Sequence, residues 1–193
     1  MAANGEIGTA RRGSQWRILG WGTVIGLILL PLAAMQFTSE VNWNLSDFIA
    51  AGLMLGVTGG ALELAVRASG NPWSRAGAAV MILGCLMLVW VNGAVGFLGD
   101  EGNPANLVFL LVLGIAVGGS IASRFQSAQM VRTMIATAVT QGGIGTIALM
   151  AGWASPGWEG IYEVLLGTTL FGGLWLASAA LFHRATERGG ATG

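Results

Sequence analysis

Hydrophobic residues in this chain come in long unbroken runs, not in strand alternation and not as the narrow stripe of a surface helix. Six stretches of about twenty residues are mostly apolar: residues 18–36, 47–66, 76–98, 106–123, 133–152 and 161–182. At 1.5 Å per residue, a helix of about twenty residues matches the ~30 Å hydrocarbon core of a bilayer. Asn71-Pro72, Asn103-Pro104 and Ser155-Pro156-Gly157 are turn signals in three of the five connections. The pattern predicts an all-α polytopic bundle of six transmembrane helices, with sequence neighbours antiparallel. It divides into a tail (1–17), a membrane domain (18–183) and a second tail (184–193) whose last five residues, from Gly189, are expected to lack fixed structure. The arginines, apolar run and Pro31-Leu32-Ala33-Ala34-Met35 of the N-terminus also fit a secretory signal, but the run is long for one, so a retained first span is the reading taken.

Composition supports the membrane assignment. The chain is 54% hydrophobic and 9% charged, with a mean hydropathy of +0.70, where a soluble domain carries about 25% charge. All nine basic residues are arginine. Arg11, Arg12 and Arg17 precede the first span, Arg67 and Arg75 flank the second connection, Arg124 and Arg132 the fourth, and Arg184 and Arg188 follow the last span. Glu40, Asp47, Asp100, Glu101, Glu159 and Glu163 fall at the opposite ends. By the positive-inside rule both termini are expected in the cytoplasm, which gives a bacterial inner-membrane protein. Trp16, Trp21, Trp43, Trp73, Trp153 and Trp158 are placed as interfacial rings; Trp90 and Trp175 are placed deeper, as packing residues.

The same counts exclude much chemistry. Without lysine there is no Schiff base and no usual P-loop, and one His (His183) with one Cys (Cys85) cannot build a haem, zinc or iron–sulfur site from this chain alone. No catalytic set, metal site or cofactor is expected, and neither is nucleic-acid binding; the bilayer is the expected partner. His183 reads as a solvated interfacial residue, and Cys85 as a small buried one.

The arginines suggest three repeated helical hairpins. Arg17, Arg75 and Arg132 open alternate helices at separations of 58 and 57; Arg67, Arg124 and Arg184 close the others at 57 and 60. A Gly pair recurs in each second helix: Gly59-Gly60, Gly118-Gly119 and Gly172-Gly173. Glycine is frequent (32 residues) and often at four-residue spacing: Gly22 and Gly26; Gly52, Gly56 and Gly60; Gly114 and Gly118. Small residues so spaced let helices approach in lipid, so the second helix is expected to pack most tightly; a flat ligand against the glycines is the alternative.

Ionisable and amide side chains at membrane depth form a candidate polar site: Glu63, Arg67, Asn92 and Gln141. Glu63 and Arg67 stand one turn apart, as an ion pair that can reach the interface. Asp47 and Glu163 read as helix N-terminal caps. Asn92 and Gln141 need partners, expected as interhelical hydrogen bonds or a ligand. Thr58, Thr137, Thr140 and Thr146 can return their hydroxyls to their own helix. The loops TSEVNWNLS (38–46) and GDEGNPAN (99–106) read as capped turns or as places for a cation or partner.

The segments LLPLAAMQFTSEVNW (29–43) and VWVNGAVGFLGDEGNPANL (89–107) resemble hallmark stretches of small bacterial six-helix inner-membrane proteins to which no activity is attached. The arginine-bounded hairpins resemble, in architecture alone, the acid-resistance membrane protein family, which would imply a stress-related role without known catalysis. The function expected is an accessory or structural subunit that packs with itself as a homo-oligomer or with a larger membrane complex. The alternative is a small transporter or channel with a polar site near Asn92 and Gln141; an intramembrane enzyme ranks last.

Overall fold

The computed structural model describes residues 3–39 and 41–190. The readings on Glu40, on the side chains of Arg11, Arg12, Trp16 and Arg17, and on the tail end at 191–193 lie outside the described residues. Among the described residues the chain forms six α-helices and no strand: α1 (Ala3–Ala34), α2 (Leu45–Ala68), α3 (Pro72–Ala94), α4 (Phe109–Ala122), α5 (Ser127–Ala151) and α6 (Trp158–Gly190), with a 3₁₀ turn, Pro104–Val108, leading into α4. Five of them, counting α4 with its 3₁₀ turn, are long and apolar enough to cross a membrane. The sixth, α1, contributes a shorter apolar stretch, Ile18–Ala34, about 26 Å long.

Local sequence sets these boundaries. Asn44 and Asp47 cap α2 reciprocally: the Asn44 side chain accepts from the Ser46 and Asp47 amides (2.8 and 3.2 Å), and Asp47 accepts from the Asn44 amide (2.8 Å). Asn71 caps α3 by accepting from the Trp73 amide at 2.9 Å, with Pro72 at the first helical position. Asn103 and Pro104 repeat the device ahead of α4, and Gly152 closes α5 at φ +69°. Thr58, Thr137, Thr140 and Thr146 each donate to the carbonyl four residues back, at 2.7–2.9 Å, as their sequence suggested. Each of the two loops thus supplies a helix cap, Asn44 with Asp47 in one case and Asn103 in the other. Glu163 is no cap, because α6 starts at Trp158 and Glu159 occupies its first turn.

The chain divides into two compact units, Met1–Glu63 and Leu64–Gly193. In the first, Trp21 of α1 lies against Gly59 of α2, 3.6 Å from where a Cβ would stand, and its indole donates to Glu63 at 3.4 Å. The expectation that α2 packs most tightly is not met: Ala51 is its one buried residue, and a Cβ built at Gly52, Gly56 or Gly60 would meet nothing within 4 Å.

The second unit is an antiparallel bundle in which α6 packs between α3 and α5, and α4 covers α5. Ser74 and Ser127 join at one end (2.8 Å), where Asn71 also donates to the Ala185 carbonyl (3.2 Å). At the other end Asn103 donates to the Trp153 carbonyl (3.3 Å). Between them lies a core of Leu88, Phe109, Val112, Met130, Met134, Phe171, Trp175 and Phe182. Trp175 is buried as its sequence position suggested, and Trp90 is 43% exposed. Cys85 is half-buried.

The packing glycines are not the ones their spacing singled out. Phe182 fills the site at Gly77 and Trp175 the site at Gly84, each 2.9 Å from a would-be Cβ, while Gly119 receives Thr133, Gly145 receives Thr168, and Gly167 receives Phe97. Gly114 and Gly118 meet nothing. Of the recurring pairs, Gly59 and Gly119 pack and Gly172-Gly173 meets nothing, so the three pairs have unlike roles. Finally, α6 runs through Gly190, so the stretch from Gly189, expected without fixed structure, begins as helix.

Candidate functional site

Within the second unit, antiparallel packing gathers Arg75, Arg124, Arg132, Arg184 and Arg188 toward one end. Asp100, Glu101, Glu159 and Glu163 gather toward the other. Between the charged ends, the polar groups that stand out are amides and hydroxyls. Gln141 of α5 is fully buried (0% exposed), and neither polar atom of its side chain has a hydrogen-bond partner. One turn along α5, Gly145 brings the backbone against Thr168 of α6, whose hydroxyl is likewise buried and unpartnered. Trp175, two turns further along α6 and 0% exposed, has an unpartnered indole N–H. Three polar side chains on two packed helices thus leave their hydrogen-bonding capacity unused at mid-bundle.

Asn92 departs from expectation as well. Its Nδ2 donates to the Leu88 carbonyl of its own helix (2.8 Å), and its Oδ1 is buried without a partner. Neither Asn92 nor Gln141 makes the interhelical hydrogen bond its depth called for. Gln141 sits with Met134, Thr137, Ile144 and Gly145 on the buried face of α5, where Thr137 gives its hydroxyl proton to the Thr133 carbonyl. Asn92 lines a half-open recess of about 450 Å³ with Glu101, Asn103, Asn106, Leu107 and Leu110. Of the four residues named from the sequence, Arg67, Asn92 and Gln141 belong to the second unit, on α2, α3 and α5, and Glu63 belongs to the first.

The recess is shaped by Asn106, which the sequence reading passed over as part of a turn. Its Oδ1 accepts from the Phe97 and Leu98 amides (3.0 and 2.7 Å), and its Nδ2 donates to the Asp100 carbonyl (2.7 Å). Thr168 and Trp175 were passed over too: a threonine and a tryptophan in an apolar run carry no signal of unmet hydrogen bonding until the packing is known. His183 is exposed and stands 3.6 Å from Glu187. Among the described residues no group of three His, Cys, Asp or Glu side chains comes together to hold a metal.

An orphaned amide in a tight helix interface is destabilising relative to a shape-matched apolar residue. The separated helices also offer Gln141 partners, which limits the gain from removing it. Gln141→Met is therefore expected to stabilise the detergent-solubilised protein by about 1–2 kcal/mol. A thermal midpoint at or below that of the parent chain would show that the amide has a partner in solution.

No family model, no curated protein and no solved structure matches the chain.

Proposed function

We propose that the chain is a bacterial inner-membrane protein of six spans, with both termini in the cytoplasm, that acts without catalysis as an assembly subunit, docking against another membrane helix through its open glycine faces. Five long apolar helices and a sixth shorter one support the membrane part; the gathering of arginines toward one end supports the orientation. The carrying observation is the open space along Gly52, Gly56 and Gly60 of α2 and along Gly114 and Gly118 of α4. Those of α4 lie opposite the buried Val112, Ala116 and Ser120. In lipid, faces of this kind bind by close backbone approach, and an intrachain role is already filled by other glycines. The three arginine-bounded hairpins are read as parallel repeats around this plan.

Gly56→Leu and Gly118→Leu place a bulky side chain on each open face. Native mass spectrometry from mild detergent is expected to show a homo-oligomer or a co-purifying protein for the parent chain, lost in these variants, while the thermal midpoint does not fall. A parent chain that runs as a bare monomer would overturn the reading.

The recess beside Asn92 and the unpaired groups of Gln141 favour a second reading, a small transporter or channel. It predicts that Gln141→Leu abolishes solute flux in vesicles; under the docking reading that change alters stability alone.

A further inference from the structure

Trp73 stands at the second position of α3, where the chain leaves the arginine-bearing end of the second unit. Its place is fixed twice: its amide is bonded by the Asn71 side chain, and Asn71 in turn donates to the Ala185 carbonyl of α6. Antiparallel packing then sets two guanidinium groups against one ring. Arg184 Cζ lies 5.2 Å, and Arg188 Cζ 5.0 Å, from the Trp73 ring centroid. The two arginines are one turn apart on the same face of α6, where like charges repel, and a ring quadrupole attracts each of them without neutralising either. Among the described residues neither has a carboxylate partner; the nearby Glu187 faces His183. Arg75 adds a third positive charge two residues beyond Trp73, with its Nε given to the Ser69 carbonyl (2.6 Å).

The depth of this corner identifies what neutralises it. The apolar run of α6 ends at Phe182, and Ala185 one turn on is its last buried residue, so Arg184 and Arg188 occupy the first turns beyond the apolar run, beside a tryptophan at the start of another. That is headgroup level. Guanidinium forks match the oxygen geometry of phosphate and bind it bidentately, and basic pockets between helices at the membrane surface take anionic headgroups. Further along the same two helices, Leu83, Met87 and Leu176 are exposed to receive acyl chains. We propose that Trp73, Arg184 and Arg188 form an interfacial phosphate site that holds the headgroup of an anionic phospholipid. The site rests on membrane embedding alone and not on the docking role.

Native mass spectrometry and thermal midpoints with added phosphatidylglycerol, phosphatidylcholine or inorganic phosphate test it. Phosphatidylglycerol is expected to be retained and to raise the midpoint; phosphatidylcholine and phosphate are not. Arg184→Gln with Arg188→Gln is expected to weaken that retention about thirtyfold, the product of two surface arginines. Arg124→Gln with Arg132→Gln removes the same charge from the same end but leaves the guanidinium pair at Trp73 in place, and because surface attraction is screened within a Debye length it should leave retention within about twofold. Equal losses in the two double variants would mean diffuse charge and overturn the site. Equal retention of the two lipids would overturn it as well, independently of whether any variant folds. A midpoint raised as much by phosphate as by phosphatidylglycerol would assign the corner to a free anion and overturn the lipid.

Discussion

Asn106→Ala is expected to lower the stability of the second unit by about 4 kcal/mol, because one side chain satisfies three backbone groups of the loop between α3 and α4. It receives the Phe97 and Leu98 amides and gives its own N–H to the Asp100 carbonyl. A net hydrogen bond contributes about 1 kcal/mol, and a buried group left without a partner costs about 1–3 kcal/mol more. The loop is also part of the core: Phe97 packs on Phe109 with centroids 4.4 Å apart and on Phe171 at 5.8 Å, over Gly167, and Leu98 is fully buried. Freeing the two amides frees this aromatic plug. The thermal midpoint in detergent should fall by about 10 °C. Asn106→Asp keeps the acceptor and loses the donor, so it should fall less. If the alanine variant melts with the parent chain, the plug does not depend on Asn106.

Helix number was legible from the apolar runs, and the starts of α3 and of the turn into α4 from the caps Asn71-Pro72 and Asn103-Pro104; α5 begins without a side-chain cap and α1 begins at Ala3, well before its apolar run. The four threonines were legible for a related reason, since a hydroxyl at helical spacing finds its own carbonyl. What sequence did not display was partnership between helices. Phe97 and Leu98 read as the end of a span; they belong to a loop because Gly96 and Gly99 take positive φ (+81° and +79°) and turn the chain after Ala94. Trp90 and Trp175 read alike, as deep packing residues, yet one is 43% exposed and the other fully buried, because depth along the membrane normal does not fix how much of a ring its neighbours cover. Asn92 and Gln141 read as bonded across helices or to a ligand; the orphaned amide of Gln141 depends on which residues α6 presents beside it and that of Asn92 on the loop and α4 around its recess, and a single sequence does not carry that register. Four-residue glycine spacing shows that a face can be approached closely, without saying what approaches it.

Gly84→Leu tests the packing rule that replaced the spacing rule. On α3, Gly77 and Gly84 are seven residues apart; on α6, Trp175 and Phe182 are seven apart, and the antiparallel pair sets each ring over one glycine. A Cβ at position 84 would stand 2.9 and 3.0 Å from two atoms of the Trp175 ring. The ring has no room to move: it is fully buried, as is Leu88, and Phe171 and Met81 are nearly so. Two effects oppose each other. Leucine favours the helical backbone over glycine by about 1 kcal/mol, whereas overpacking a closed core costs about 1–3 kcal/mol and occasionally more. Here the helices must separate and lose the neighbouring Ser178 to Gly77 hydrogen bond at 2.8 Å, so the second effect wins and the expected net loss is about 3 kcal/mol. Gly56→Leu has the propensity gain without the clash, and its midpoint should not fall. The cause is isolated by a double variant. Gly84→Leu with Trp175→Ala refills the space the ring vacates, and should be more stable than the sum of the two single losses by about 1–3 kcal/mol. Additive losses would mean that the ring and the glycine do not share that space, and the pairing of α3 with α6 would need another register.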